Sequence, residues 1–172
     1  MKKLIAVALS FLFLGCGSVA DEKVIAVSVE DLQANPAILS DQNYISTGQP
    51  DAALFSAAKD AGYAAVIDLR TAGEDRGMDE ADVLDSLGMS YHLIEVAGAG
   101  GVNFENAQAL DDALAGIDGP VLLHCRTGNR VGALLALRAS MNGASDEEAL
   151  AIGKASGLTS LEGAVVEQLA QD

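Results

Sequence analysis

The stretch PVLLHCRTGNRVGALLAL (residues 120–137) constrains the fold more than any other part of the chain. Its first residues form a short apolar run, which is typical of a strand buried on both faces of a sheet. Its last residues are rich in alanine and leucine, which favour a helix. The polar turn CRTGNR therefore joins a buried strand to a helix. Such units build layered α/β folds around a mostly parallel sheet.

Short apolar runs alternate with helical patterns along the rest of the chain. Strands are predicted in YISTGQ (44–49), YAAVIDL (63–69), SYHLIEV (90–96) and GPVLLH (119–124). Helices are predicted over 50–62, 78–87, 104–117, 146–155 and 161–171, and AGAGG (97–101) is predicted to be a flexible loop. This order predicts an α/β fold whose central, mostly parallel sheet is flanked by helices.

Composition limits the classes of function. At 172 residues the chain suits one domain, and with half its residues hydrophobic it is not wholly disordered. The formal net charge is -15, and no basic stripe is visible. Both features argue against nucleic acid as a partner.

The N-terminus has the features of a signal for export. Lys2 and Lys3 precede an apolar run (4–14) that has the length of a signal-peptide core and is too short to span a bilayer. Cleavage before Cys16 would leave a lipid-anchored protein, whereas cleavage after SVA (18–20) would release it. A short hydrophobic helix packed on the domain is the alternative. We expect a periplasmic or lipid-anchored protein with a signal (1–20), a tether containing a short helix near 29–34 (21–43) and one domain (44–172).

Cys125 stands at the end of a predicted strand, where ligands bind in parallel sheets. With Cys16 removed or lipidated, it has no disulfide partner, and no cluster of Cys and His suggests a metal or a cofactor. The first N–H groups of the next helix favour an anion beside it, a thiolate included. Arg126 and Arg130 add positive charge, and such surroundings lower a thiol pKa from about 8.5 to roughly 3.5–7.5.

The loop between the cysteine and the second arginine is suited to hold an oxyanion. Gly128 lets the backbone turn so that successive amides, including those of Thr127 and Asn129, can point inward. Arg130 can hold two oxygens of a tetrahedral anion. His124 is expected to brace the loop by hydrogen bonding. A small anionic substrate is therefore predicted, although a lone cysteine can also be a packed core residue.

The stretches ISTGQPDAALFSAAKDAGYAAVIDLR, SLGMSYHLIEV, GPVLLHCRTGNR and NGASDEEALAIGKASGL resemble the dual-specificity protein tyrosine phosphatase superfamily. The chain looks closest to the bacterial phosphatase-like domain of beta-lactamase hydrolase-like proteins. The resemblance implies a three-layer phosphatase-type fold, no metal, and a phosphocysteine intermediate. By position it implies that Cys125 is the nucleophile and Arg130 the phosphate clamp, with the amides from Arg126 to Arg130 holding the other oxygens.

Two features depart from the phosphatase pattern. Four residues separate Cys125 from Arg130, whereas phosphatase loops usually have five. The shorter spacing is similar to that of rhodaneses, whose cysteine carries a persulfide. The loop VAGAGGVNFENA (96–107), where the general acid is expected, contains no aspartate, so Glu95 and Glu105 are the nearest candidates.

Three functions therefore stay open. They are a phosphatase-like hydrolase, a sulfurtransferase acting on a persulfidated molecule, and a domain that binds an anion without turnover. Arg70 and Glu74 are a further candidate pair near a strand end, which serves either the fold or the shape of the site.

Overall fold

The computed structural model describes residues 24–34 and 43–171. Its strands are β1 (Val24–Ala26), β2 (Tyr44–Thr47), β3 (Ala65–Asp68), β4 (Ser90–Leu93) and β5 (Val121–His124). They form a five-stranded sheet in the order β1-β2-β5-β3-β4, and every neighbouring pair runs parallel. The predicted α/β fold with a mostly parallel sheet is confirmed.

Seven helices accompany the sheet in the described part of the chain. They are α1 (Val29–Ala34), α2 (Ala52–Asp60), α3 (Glu80–Ser86), α4 (Phe104–Ala115), α5 (Asn129–Met141), α6 (Asp146–Ala155) and α7 (Glu162–Leu169). Helix α6 has the predicted bounds, because Ser145 and Glu148 form a capping box at its start. Helices α2 and α3 begin two residues later than predicted, since the side chains of Asp51 and Asp79 cap their first turns.

Helices cover both faces of the sheet. On one face Val66 and Leu122 pack with Phe55 of α2 and Leu84 of α3. On the other face lies a second apolar cluster, formed by strand residues and by residues of α4 and α5, including Ile67, Leu123, Leu110 and Leu134. Helices α6 and α7 pack against α5 in a third cluster. The predicted three-layer arrangement is therefore confirmed.

The segment that the sequence assigns to a tether (21–43) contains two regular elements. Strand β1 pairs with β2, and the N–H of Val27 donates to the carbonyl of Ser46 at 2.9 Å. Helix α1 lies where the short helix is predicted. The sheet thus begins before the domain boundary predicted at residue 44. The predicted signal (1–20) and Cys16 lie outside the described residues, and no described helix is long and apolar enough to cross a membrane.

The glycine-rich loop after β4 is folded, which corrects the prediction of a flexible loop. It forms a 3₁₀ turn over Gly98–Gly101 that brings Gly101 against Val96. A Cβ added at Gly101 would lie 2.9 Å from the backbone of Val96. The lack of a side chain at Gly101 therefore lets the chain turn back on the end of β4.

Helices α5 and α6 approach closely through glycine. A Cβ at Gly132 would lie 2.2 Å from the nitrogen of Leu158 and 2.6 Å from the carbonyl oxygen of Gly153. These neighbours are backbone atoms, which a side-chain rotation cannot move away. This contact fixes α5, whose first turn carries the loop with Cys125.

Replacing Gly132 by alanine is expected to lower the free energy of unfolding by about 3 kcal/mol or more, since the added methyl forces the two helices apart. Urea denaturation measures the change. Gly163→Ala in α7 is the matched control, because nothing lies within 4 Å of its Cβ position. That control should gain about 0.5–1 kcal/mol from helix propensity. Equal effects of the two substitutions would contradict the close-contact explanation.

Candidate active site

The loop CRTGNR begins at the carboxyl end of the central strand β5. Cys125 is a free thiol whose residue is only 1% exposed, and it packs in the cluster on the α4 and α5 side of the sheet. Gly128 has a φ of 83°, in the left-handed region, and caps the start of α5. Its N–H donates to the Cys125 sulfur at 3.2 Å. The predicted glycine turn therefore aims a backbone donor at the sulfur.

The outer side of the loop is attached to the segment that follows β2. Thr127 forms an antiparallel bridge with Gly48, and the N–H of Gln49 donates to the carbonyl of Arg126 at 3.2 Å. A Cβ at Gly48 would lie 3.3 Å from that same carbonyl oxygen. The backbone on this side is thus held in place, while the side chains of Arg126 and Thr127 are exposed.

Asn129 attaches the other end of the loop to the connection between α6 and α7. Its Nδ2 donates to the hydroxyl of Ser160 at 2.8 Å, and its Oδ1 accepts the N–H of Thr159 at 2.8 Å. Gly157, with a φ of 105°, packs against the backbone of Gly128. From the sequence, only the backbone N–H of Asn129 was expected to take part in the loop. Its side-chain contacts could not be predicted, because their partners lie about thirty residues away.

Arg130 is fixed by a bidentate ion pair with Glu74. Nη1 donates to Oε1 at 2.6 Å and Nη2 donates to Oε2 at 2.7 Å. Nη1 also donates to the carbonyls of Leu69 at 3.3 Å and Val96 at 3.2 Å. The remaining donors of Arg130 are not used by Glu74 or by these carbonyls, and Arg130 also interacts with the Cys125 sulfur. Hydrogen bonds to Glu74 raise the pKa of Arg130, and the neighbouring Cys125 sulfur acts in the same direction.

Glu74 is ionised because of this pair. Its hydrogen bonds with Arg130 lower its pKa to about 2. It therefore accepts hydrogen bonds and has no proton to give near neutral pH. The candidate pairing of Arg70 with Glu74 is wrong: Arg70 binds Asp68 and Glu80 on the opposite face of the sheet. Chain proximity favoured the wrong partner, since Glu74 and Arg130 are 56 residues apart.

A cavity of about 370 Å³ opens at the mouth of the loop, lined by Glu74, Gly98, Arg126, Thr127, Asn129, Arg130 and Leu161. Neither candidate general acid is among its lining residues. Glu95 is exposed and accepts the N–H of Ala72, and Glu105 is exposed in the first turn of α4. The structure therefore gives neither residue a place in this cavity. The carboxylate that does line this cavity is that of Glu74.

A larger groove of about 680 Å³ lies on the other side of Arg126 and Thr127. Its walls come from the end of β2 and from the segments that follow β1 and β2, including Ser28, Thr47, Gln49 and Asp51. Arg126 and Thr127 line both spaces. A ligand whose anionic end sits over the loop can therefore extend across these two residues into the groove.

Four ionisable side chains are buried behind the loop, on the α2 and α3 face of the sheet. Asp68, Arg70 and His124 are 0% exposed and Glu80 is 1% exposed. Arg70 donates to Asp68 at 2.9 and 3.0 Å and to Glu80 at 2.5 Å. Burial opposes ionisation of Asp68, yet the hydrogen bonds from Arg70 hold the pKa of its carboxyl below the ordinary value. Paired in this way, the charges tolerate burial.

The same cluster resembles a metal site but does not suit one. Asp68, Glu80 and His124 place one potential ligand atom each within 4.8 Å of one another. The guanidinium of Arg70 already donates to both carboxylates. A divalent cation would meet this positive charge at bonding distance, so we assign the cluster as an ion-pair network.

The ring of His124 does not form the predicted brace directly. Neither ring nitrogen makes a hydrogen bond to a described residue. The backbone of His124 does contribute, since its carbonyl accepts the N–H of Leu69 at 2.9 Å. This bond connects the end of β5 to the residue whose own carbonyl receives Arg130.

Solved structures define the class of the fold. A protein of Neisseria meningitidis, provisionally described as a phosphatase, is 18% identical and superposes with a TM-score of 0.63, covering 74% of this chain and 94% of that chain. Kinase associated phosphatase, solved with its catalytic-site cysteine replaced by serine, is 17% identical with a TM-score of 0.53, covering 72% and 79%. The fold is that of protein tyrosine and dual-specificity phosphatases.

The chain belongs to the family of the beta-lactamase hydrolase-like protein, phosphatase-like domain, which matches residues 39–142. A beta-lactamase hydrolase-like protein of Xylella fastidiosa (strain Temecula1) is 31% identical over 116 residues, covering 64% of this chain and 27% of the relative. The chain thus spans about a quarter of the length of the curated relatives it matches. The resemblance stated from the sequence is confirmed, and the protein contains a phosphatase-like domain.

Replacing Glu74 by alanine is expected to weaken the binding of inorganic phosphate about tenfold, because Arg130 loses the partner that orients it. Isothermal titration calorimetry near neutral pH measures the loss. Since the pKa of Glu74 is lowered, the ion pair is complete above the ordinary carboxyl range and is lost only as the pH falls toward about 2. Glu95→Ala is the control, and an equal loss in that variant would contradict the assignment.

Proposed function

We propose that the protein is a cysteine-dependent phosphatase-like hydrolase in which the Cys125 thiolate attacks the phosphorus of a phosphoester. The observation that carries the proposal is the loop itself. The N–H of Gly128 points at the sulfur, and Arg130 is fixed by Glu74 with donors still available for an oxyanion. Oriented donors of this kind stabilise charge that develops in a transition state. The solved relative with a catalytic-site cysteine also supports the proposal.

The reaction then has two displacements. In the first, a bond forms between the sulfur and phosphorus while the bond to the leaving oxygen breaks with its electron pair. In the second, water attacks the phosphocysteine, the S–P bond breaks, and phosphate and the thiolate are released. Amides of the loop and the available edge of Arg130 hold the phosphoryl oxygens in both steps.

The charge state of the cavity favours substrates with acidic leaving groups. Protonation of the leaving oxygen by a positioned acid contributes typically about 10²–10⁴-fold. The carboxylate that lines the cavity, Glu74, is ionised and bound to Arg130. An aryl phosphate needs this help least, because a phenolate is stable without immediate protonation. Aryl phosphoesters are therefore the substrate class that the site suits best, with their remaining polar part in the groove beyond Arg126.

Transfer of sulfur is the second candidate function, and a specific feature favours it. Four residues separate Cys125 from Arg130, as in rhodaneses. A persulfide on Cys125 would pass its outer sulfur to an acceptor thiolate or to cyanide. This exchange asks less of an acid, because a thiolate of low basicity leaves unaided. The phosphatase family and fold favour the first candidate.

Cys125→Ser is expected to reduce hydrolysis of an aryl phosphate by roughly 10³-fold or more while phosphate binding persists, since a hydroxyl is a far weaker nucleophile than a thiolate. Release of phosphate from p-nitrophenyl phosphate measures the change. An alkyl phosphate, compared in the wild-type protein, should react more slowly than the aryl ester by the full intrinsic difference in leaving groups, since no positioned acid reduces that difference.

Three results separate the candidates. Hydrolysis that survives in Cys125→Ser would contradict the proposed mechanism. Thiocyanate formed from thiosulfate and cyanide, and lost in the same variant, would favour sulfur transfer. Inactivity in both assays together with tight phosphate binding would identify a binding domain.

We also propose that the protein is exported, on the strength of Lys2, Lys3 and the apolar run that follows them. The mass of the protein purified from its own host is expected to show cleavage either before Cys16, with added lipid, or after Ala20. Intact mass spectrometry and cell fractionation check this expectation. A full-length chain in the cytoplasm would contradict it.

A further inference from the structure

The charges buried behind the loop include a carboxylate oxygen whose role is not explained by the ion pairs. Glu80 is the first residue of α3 and is 1% exposed. Its Oε1 accepts Nη2 of Arg70 at 2.5 Å, which satisfies one oxygen. Its Oε2 is buried and accepts no hydrogen bond from a described residue. Such an atom costs free energy unless a donor is close.

A donor close to this oxygen is the ring of His124, the residue directly before Cys125. Nε2 lies 3.4 Å from Oε2 of Glu80 and 4.0 Å from Oδ1 of Asp68. Phe55 of α2 covers the ring edge-on, with centroids 6.4 Å apart. Thr47 is the strand neighbour of His124 on β2. Two carboxylates that only accept hydrogen bonds thus face the same ring nitrogen.

The two carboxylates favour one of the two tautomers of the neutral His124 ring. A neutral imidazole carries its proton on either Nδ1 or Nε2. A proton on Nε2 points at the carboxylate of Glu80, whereas a lone pair on Nε2 would face negative charge in a buried setting. The Nε2–H form is therefore the favoured one, and a small rotation of the ring completes the hydrogen bond.

The position of the ring bears directly on the loop. His124 ends β5, and the next peptide bond carries Cys125. The carbonyl of His124 holds the N–H of Leu69, and the carbonyl of Leu69 holds Nη1 of Arg130. A ring fixed on one face of the sheet thus restrains the backbone from which the sulfur and its donors project on the other face.

We propose that Glu80 is a positioning residue for the Cys125 loop: it accepts the Nε2–H of His124 and, through that ring, fixes the backbone that presents the sulfur. The inference rests on the proposed function of the loop. It does not require turnover for its test, so failure of the hydrolase proposal and failure of this inference are distinguishable.

The test is ¹⁵N NMR of the histidine ring nitrogens at about pH 8, where an unperturbed imidazole is neutral. The chain has two histidines, and the variant His92→Gln identifies the signals of His124. The wild-type protein is expected to show the proton on Nε2. An Nε2 that carries no proton overturns the proposal without the need for any variant at Glu80.

Glu80→Gln gives a sharper result. Arg70 can only donate hydrogen bonds, so it takes the amide oxygen of the glutamine. The amide NH₂ then faces His124, whose Nε2 must accept, and the ring proton moves to Nδ1. With the ring held differently, alkylation of Cys125 by iodoacetamide near neutral pH is expected to slow about tenfold, because the backbone no longer presents the sulfur in the same geometry.

The control variant is Asp111→Asn, which breaks the 2.6 Å ion pair between Asp111 of α4 and Arg138 of α5. It should leave both the tautomer of His124 and the alkylation rate unchanged. Glu80→Asp keeps the charge and is expected to keep the Nε2–H form if Glu80→Gln does not fold. A tautomer that inverts in Glu80→Gln with no change in alkylation would overturn the role in positioning. An equal change in Asp111→Asn would show a general loss of stability and would also overturn it.

Discussion

Arg70 holds together the edge of the sheet on which the candidate site stands. Its side chain is fully buried, and it joins Asp68 at the end of β3 to Glu80 at the start of α3. A guanidinium can be buried in this way only because two carboxylates satisfy its charge, and each carboxylate in turn depends on the guanidinium. The three groups therefore fix the strand end and the helix start as one unit.

The unit formed by Arg70 and its two carboxylates lies behind the loop that begins at Cys125. A second ion pair, between Arg130 and Glu74, lies in front of that loop. Arg70 and Arg130 both bind carboxylates, but their surroundings differ. Arg70 has no contact with solvent, so its pairs serve the fold. Arg130 lines the cavity, and Glu74 occupies only part of its donors. Arg70 thus supports the strand ends, whereas Arg130 is the arginine that lines the cavity.

Strands β2 to β5, the helices and the turn after Cys125 could be predicted from the sequence because their signals are local, whereas the three-residue strand β1 was not predicted. Apolar runs and helix-capping residues such as Ser145 act over a few positions, and the turn at Gly128 needs only its own φ. The partners of Arg70, Arg130 and Asn129 could not be predicted, because they are set by where distant segments meet in the sheet. The fold of 97–101 was missed for a related reason: its glycines indicate flexibility in sequence, whereas Gly101 serves a close backbone contact with Val96.

Because the chain carries a large negative charge, binding of an anionic ligand depends on the hydrogen-bond donors of the Cys125 loop. A chain with a formal charge of -15 repels anions at a distance. At physiological ionic strength this repulsion is screened beyond about 8 Å, whereas contacts inside the loop are screened much less. Arg130 is oriented by Glu74, and Arg126 places a second guanidinium at the mouth, so the two arginines and the loop amides supply the local positive charge. We therefore expect an anion to bind where it touches these donors directly.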